Sequence, residues 1–543
     1  MCGAEETCEA GVCTPTDVST CDEPLEPCGD ACVDLQTDAK HCGACDVACD
    51  GDQLCVDATC ASSCPPDAMA CRSICVDVQT NPLHCGACDV ACAGATVCHD
   101  SACALLCDGR PCSPGEHLFS AAYGNELGNF LLAVAQGPDG SIAIGGSFAG
   151  TYDLGGGPTG GASEDSAVIA KLNTDGSFAW GAGYGETDAS TQGIAIGPDG
   201  QVVAVGRFTG IIDFGDGPLV SAGDADAFLV VFDADGGLLF SRSFGDADFD
   251  NFVEVAIDPS SQDIVVAGSF GGAIDLGNGA RTSAGEQDLL IARFDALGNP
   301  IWDVTAGDDA SQLSSAIVIA PDGGVIVTGY FYGTMDLGGA PLVAADDAAA
   351  YVARLDAGGA HVWSRSYDDV GFQNVGDAAV DADGDVVLVG AFENAIDLGG
   401  STLTSVGLRD VFVAKLAGPT GSHLWSQRFG GPAMDIPYAL GVVEGADIVL
   451  GGHFQESIDF GGGPKLADGG DDYDIFVARL TGDGAHVWST DHGGVSHEFT
   501  FALSVGVEGR VVGVGRLDGS VDFGGGPITS AGQVDGWLAA FAP

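Results

Sequence analysis

Basic residues are scarce. Lys and Arg together number 17 against 78 Asp and Glu in a chain of 543 residues, a formal charge of -61. A field of that sign repels nucleic acid and anionic lipid headgroups, so neither is expected as a partner. The Asp-rich, Lys-poor bias fits life in salty water or merely GC-rich codons, and composition alone does not separate the two. Long apolar runs are missing as well. The positive mean hydropathy comes from Ala, Val and Gly in short segments, and none approaches the ~18 residues of a spanning helix. No transmembrane segment is expected, and the mature chain reads as a soluble monomer. No segment sustains a helical period either. Cysteine is absent beyond Cys112, which rules out disulfides and thiolate metal sites over the larger part of the chain. The signatures GxSxG, HExxH and the phosphate loop do not occur, and the recurring "LGGGP" strings precede no helix, so they are not nucleotide sites.

What is present falls into two regimes. All 21 cysteines lie between Cys2 and Cys112. Cys28, Cys32, Cys42, Cys45, Cys49, Cys55, Cys60 and Cys64 recur 43 residues later as Cys71, Cys75, Cys85, Cys88, Cys92, Cys98, Cys103 and Cys107. A module of about 40 residues cannot bury enough apolar surface to fold alone, and covalent staples of ~2 to 4 kcal/mol each are the usual remedy. Eight cysteines per module satisfy four bridges, with connectivity left open by sequence. The repeated "HCGACDVAC" contains a Cys-x2-Cys pair and a histidine, His41, that fit zinc. Eight thiols exceed one tetrahedral site and their spacings do not divide into two ordinary ligand sets, so disulfides are the expected state.

Cys2, Cys8 and Cys13 repeat the spacing of Cys49, Cys55 and Cys60, as if the chain opened inside an earlier module. Since bridges need an oxidising compartment, an export signal is expected upstream of Met1, and the protein is placed outside the cell or at its surface. The expected parts are a truncated module at 1–27, modules at 28–70 and 71–112, a linker at 113–116, and a second regime at 117–543. The runs "CVDLQTDAKHCGACDVAC" and "CVDVQTNPLHCGACDVAC" resemble the stigma-specific cysteine-rich family, a resemblance that implies surface modules and no activity.

In the second regime the phrase Gly-x-(Phe/Leu)-x4-Asp-(Leu/Phe)-Gly occurs seven times. Its aspartates are Asp153, Asp213, Asp275, Asp336, Asp397, Asp459 and Asp522, spaced by 60 to 63 residues. Each copy reads as four short β-branched or aromatic strands separated by turns such as "PDG" and "GDG". Seven four-stranded units describe an all-β, seven-bladed β-propeller. The last copy ends one strand short, and "HLFSAAYG" at 117–124 aligns with "HVWSRSYD" and "HLWSQRFG", the missing outermost strand. Sharing a blade between the two ends leaves no sheet edge to aggregate. "DVFVAKL…HLW" and "YDIFVARL…HVW" resemble the bacterial SBBP propeller-repeat family, which implies the fold and carries no catalytic motif.

Trp180, Trp302, Trp363, Trp425 and Trp488, with Phe240 and Phe119, share one outer-strand register. Packing between blades is expected of them rather than sugar stacking. The seven repeat aspartates are expected to cap backbone turns. In a four-stranded blade the second-to-third and blade-to-blade connections share a face. Here those loops are long, Gly-rich and acidic, so this is the expected binding face. Asp246, Asp248 and Asp250 and, in another loop, Asp471, Asp472 and Asp474 present alternating carboxylates that suit Ca²⁺, although neither run completes the EF-hand pattern. His492, His497 and Glu498 in "HGGVSHEF" are the candidate for a transition metal or for acid–base chemistry. No catalytic or cofactor-binding residue is otherwise assigned. The functional expectation is a non-catalytic binding or adhesion scaffold for an extracellular protein or glycan, with calcium as a candidate stabilising ion. The rival is an extracellular hydrolase or lyase with a metal-assisted pocket. Polar departures from the blade consensus that converge on one channel-mouth pocket favour the rival, and scatter around the rim favours the scaffold.

Overall fold

In "HCGACDVAC" Gly43 takes φ +77°, and a Cβ there would sit 2.6 Å from the Ala58 carbonyl oxygen. Only glycine fits this turn. His41 Nδ1 accepts the Asp46 N–H at 3.0 Å, so the histidine caps the same turn. The computed structural model describes the whole chain except residues 1–5, 10–11, 16–25, 29–30, 39, 50–52, 57, 65–67, 72–73, 80–84, 86, 89–96, 100–101, 105, 108–109, 161–164, 186, 346–347, 444–445, 469–471, 495 and 507–508. It forms two compact units, Met1–Cys112 and Ser113–Pro543.

The first unit is built of hairpins with strands of two to four residues, held by cystines. The bridges are Cys28–Cys45, Cys42–Cys55, Cys49–Cys60, Cys64–Cys75, Cys71–Cys88 and Cys85–Cys98. Cys32 and Cys112 are disulfide-bonded as well. Cys92 and the side chains of Cys103 and Cys107 lie outside the described residues. Cys42, Cys55, Cys71, Cys85 and Cys98 are buried and, with Leu54 and Val76, make up the described core, so sulfur replaces the aliphatic core that a chain this short lacks. One expectation changes. The cysteines from Cys28 to Cys64 do not pair only among themselves, because Cys64 bridges to Cys75 across the boundary drawn at residue 70. Strands Leu54–Val56 and Ile74–Val76 pair across the same boundary.

The second unit contains seven four-stranded antiparallel sheets. In the first blade the strands run from the innermost, Asn129–Gln136, through Ile142–Phe148 and Ser166–Leu172 to the outermost, Phe178–Tyr184. The middle strands of every blade are buried almost throughout, since each lies between two neighbouring sheets. That is why the centres of these strands, "IVVAG" and "LLIA", are continuous apolar runs rather than alternating ones. The core accordingly divides into seven clusters, each drawn from two adjacent blades, as where Val203 and Leu229 meet Phe252 and Val266.

The ring closes as the sequence implies. His117–Tyr123 pairs antiparallel with Asp535–Phe541, placing Ala122 opposite Trp537. The segment expected as a linker belongs to this closure: Gly115 N–H donates to the Ala542 carbonyl at 3.0 Å, and Ala542 N–H donates to the Glu116 carbonyl at 2.7 Å. The aromatic stripe is packing. Each ring lies on the positive-φ glycine of the outer turn of the next blade: Trp180 on Gly236, Trp302 on Gly359, Trp363 on Gly421, and Trp488 on Gly115 in the closing turn. Trp180, Trp302, Trp363 and Trp425 also donate their indole N–H to a carbonyl of that turn, at 2.8 to 3.2 Å. The repeat aspartates cap turns. Asp153 Oδ1, for example, accepts the N–H of Gly155 at 2.7 Å and of Gly157 at 2.9 Å, and the other six bond in the same way to the glycine two residues on.

Candidate functional site: the central channel and its long-loop mouth

Every innermost strand carries a β-bulge at the same register. The extra residues are Leu132, Gln192, Val253, Ser315, Gly376, Tyr438 and Phe501. A bulge leaves one residue out of the ladder and re-aims its side chain. All seven line a central cavity of about 540 Å³. No two of the seven are the same amino acid, in a molecule whose capping aspartate is repeated in every blade.

The next register position is Ala or Gly in five blades, and Glu254 and Asp377 in the other two. Glu254 Oε2 accepts the Val255 N–H at 3.2 Å. Asp377 is pinned more firmly, by Ala378 N–H at 2.7 Å and by Leu440 N–H of the next blade at 2.6 Å. Both residues line the bore and are only partly exposed. Burial lifts Glu254 to about 8, with the charge of Asp377 adding to it, and lifts Asp377 to about 7 against the pull of its backbone bonds. One cavity therefore holds two carboxyls that exchange protons near neutrality, a property suited to acid–base work or to hydrogen-bonding a polyhydroxylated or amine ligand.

The end of the cavity nearest the long loops is aromatic and cationic. Arg409 lies 4.2 Å over the Phe372 ring and bonds Glu393 at 2.9 Å. Tyr438 is 6.1 Å from Phe501 and stacks at 5.2 Å on His453, which burial holds neutral, near 3. Arg516 sits 4.2 Å over Phe499, and Arg207 sits 5.3 Å over Phe249. Among the described residues, Arg207 and Arg516 have no acidic partner, whereas Arg293, Arg354, Lys415, Arg428 and Arg479 are ion-paired. Arg242 likewise lies 5.7 Å over Phe240, but on an outermost strand; at the mouth it is Arg207 and Arg516 that place unpaired guanidinium on aromatic rings.

The loop acids singled out in the sequence are dispersed. Asp246 accepts the N–H groups of Asp248 and Ala273, Asp308 those of Ala310 and Thr334, and Asp369 that of Asp397. Asp246 and Asp308 thus cap their own loop and tie it to the second-to-third loop of the next blade, and Asp369 makes the second kind of bond alone. Asp471 lies outside the described residues, and Asp472 stands 3.8 Å from His497 Nδ1. Asp250 and Asp474 instead turn inward between blades and are almost wholly buried. His492, His497 and Glu498 are set apart from one another. His492 is wedged at 5.1 Å from Phe523 and 5.2 Å from Phe541, and burial drops it to about 4. Glu498 is buried at a blade junction, while His497 faces the loops. Among the described residues the one group of three metal-ligating side chains is Cys42, Cys49 and Cys60, and these are already oxidised.

The bulge ring escaped the sequence reading because a bulge shifts a strand's alternation by a single step, a break too small to read in strands of eight residues. Only an alignment of the seven copies on their capping aspartates would have exposed a column without a consensus.

No family model matches the chain, and no curated protein matches it. The resemblances to SBBP repeats and stigma-specific modules therefore stand on the quoted motifs. Among solved structures, Sqt1 from Chaetomium thermophilum is similar at 13% identity over 79% of this chain and 99% of that one, with a TM-score of 0.38. The Dos1 propeller is similar at 9% identity over 79% and 95%, with a TM-score of 0.39. A europium-containing methanol dehydrogenase is similar at 10% identity over 79% and 93%, with a TM-score of 0.38. Likeness at this level assigns no ligand and no reaction to this chain.

Proposed function

We propose that the protein is an exported, non-catalytic binding scaffold that takes an extracellular protein or glycan at the long-loop mouth of its central channel. The observation that carries this reading is the ring of seven bulge residues, all different, in a molecule that repeats its packing residues. A side chain pointing into the bore meets no packing demand from the fold, so its identity is free to answer whatever enters. Tyr438, Phe501 and Phe372 offer apolar faces that stack on sugar rings or aromatic side chains, and Arg409 offers a guanidinium already braced on a ring. The cystine-stabilised unit supports an oxidising location. Among the described residues no helix is long and apolar enough to cross a membrane.

A second reading meets the criterion set out from the sequence for the enzyme rival. The polar departures Glu254, Asp377, Gln192 and Asn374 converge on one cavity, and two carboxyls titrating near neutrality fit a hydrolase or lyase. A glycan array probed with the full chain, followed by a pull-down of extracellular protein, separates the readings. The scaffold predicts stable capture that falls roughly tenfold or more in Tyr438→Ala and Phe501→Ala. Capture unchanged in both variants removes the mouth as the surface. Release of cleaved saccharide that stops in Glu254→Gln or Asp377→Asn establishes the enzyme instead.

A further inference from the structure

Where one blade meets the next, the first residue of the third strand comes up against the first residue of the next innermost strand. At three junctions both are acids: Asp226 with Asp250, Asp410 with Asp435, and Asp474 with Glu498. All six are at most 3% exposed. Most use one oxygen to cap a backbone N–H of the preceding loop. Asp250 Oδ2 accepts from Asp246 at 3.1 Å, Asp474 Oδ2 from Asp468 at 2.9 Å, and Glu498 Oε2 from Gly494 at 3.2 Å. The second oxygens, Asp250 Oδ1, Asp410 Oδ1, Asp435 Oδ1, Asp474 Oδ1 and Glu498 Oε1, are buried and have no hydrogen-bond partner among the described residues. The carboxyls of a pair are close neighbours. A Cβ on Gly245 would stand 2.7 Å from Asp250 Oδ2 and 2.8 Å from Asp226 Oδ1, so glycine makes room for both.

Two desolvated carboxyls with orphaned oxygens call for positive charge. The middle junction has it: Arg428, opposite Phe412 on the outermost strand, forms an ion pair with Asp410. In the same register the second blade has Ser243 opposite Phe228, and the sixth has Asp491 opposite Phe476. The first substitution supplies no charge, and the second adds a carboxylate that Lys465 already pairs at 3.1 Å, so Asp474 and Glu498 gain no cation from it.

We propose that the Asp226/Asp250 and Asp474/Glu498 junctions each bind a calcium ion, which does there what Arg428 does between Asp410 and Asp435. Paired carboxylates, backbone carbonyls and water are the oxygen set that Ca²⁺ accepts with flexible geometry. Burial and the neighbouring acids lift Asp250 and Glu498 to about 8 and Asp474 to about 6, which marks how poorly these sites tolerate uncompensated charge. The ions clamp adjacent blades, independently of any ligand at the channel mouth.

The test is calcium titration of the EDTA-stripped full-length protein by calorimetry, with Tm read in EDTA and in millimolar Ca²⁺. Terbium luminescence sensitised by Tyr473, next to Asp474 in the chain, reports the second site separately. About two equivalents bind and Tm rises by several degrees. Asp250→Asn and Glu498→Gln each remove one equivalent, and Asp435→Asn removes none. Ser243→Arg, which rebuilds the Arg428 arrangement, abolishes binding at its junction without loss of Tm in EDTA. Absence of heat and of any Tm shift in the wild-type chain at millimolar Ca²⁺ overturns the proposal and leaves protons as the compensating charge. Binding that persists in full in both acid variants overturns it as well, and moves the ion to the outer loops.

Discussion

The indole of Trp363 sits on the outer turn of the next blade, and its energetic role there can be isolated. It is 6% exposed, donates its N–H to the Gly418 carbonyl at 2.8 Å, and covers Gly421, whose φ is +63°. Trp363→Ala empties that contact and costs ~3 to 5 kcal/mol, the range for large aromatic truncations in a core. Gly421→Ala combines two penalties. A left-handed conformation costs a non-glycine residue ~1 to 2 kcal/mol. The new Cβ would lie 2.6 Å from the indole Cε3, a clash that adds ~1 to 3 kcal/mol of overpacking. With the indole gone only the backbone strain remains. The double variant should therefore be less destabilised than the sum of the singles by about 1 to 3 kcal/mol. Urea unfolding of the four proteins, followed by circular dichroism, measures this coupling. Single-variant costs that add within about 0.5 kcal/mol would show that indole and turn are not in contact, and the inter-blade reading of the whole stripe would fail with them. A Trp363→Ala protein of unchanged stability but weakened glycan capture would reassign the stripe to ligand stacking.

Acidity should stabilise the propeller. Glu254, Asp377 and Asp435 are lifted by burial to about 8, 7 and 8, so between the unfolded carboxyl range near pH 4 and these values the folded state holds more protons than the unfolded state. The contribution of these three groups is fully present at low pH and is lost as pH rises through the folded values, while His453 and His492, held neutral by burial, oppose it below about pH 6.5. Each group lowers stability by about 1.4 kcal/mol per pH unit between its unfolded and folded values, so a steep fall from pH 5 upward is expected in chelator-containing urea titrations, less steep in Asp377→Asn. A stability that rises with pH over that window would contradict the burial of these groups. Removing residues 117–123 leaves the Asp535–Phe541 strand as an open edge, and size-exclusion chromatography should show oligomers or aggregates in place of a monomer. A well-behaved monomer lacking that segment would argue against closure by this strand.

The repeat shows how far a linear reading reaches. Strand number, blade number and the pairing of the two chain ends were legible because each blade must bury the same faces and turn at the same places. That requirement writes the same residues every 60 to 63 positions: a capping aspartate, a turn glycine, an outer-strand aromatic. The capping aspartates and the Trp stripe were readable as structural for the same reason, since a residue the fold needs in every blade is repeated in every blade. The cysteine spacing announced bridges but not their partners, because spacing fixes which thiols exist and not which ones meet. Cys64 pairs forward with Cys75 and stitches two repeats together.

Tertiary structure alone decided where function is to be sought. Asp250 and Asp474 read as loop acids in sequence, yet they stand at the first position of strands squeezed between blades, and burial gives them a character that exposed neighbours such as Asp248 lack. Glu254 and Asp377 lie 123 residues apart in sequence and share one cavity. The bulge that turns Tyr438 and Phe501 into the channel is a one-residue shift of hydrogen-bond register, which a strand of eight residues shows too faintly to be read from its alternation. Sequence determined the ring because a ring is a sum of repeated local choices. Only the folded chain could bring the exceptions to that repetition together, since proximity across a propeller depends on closure and not on distance along the chain.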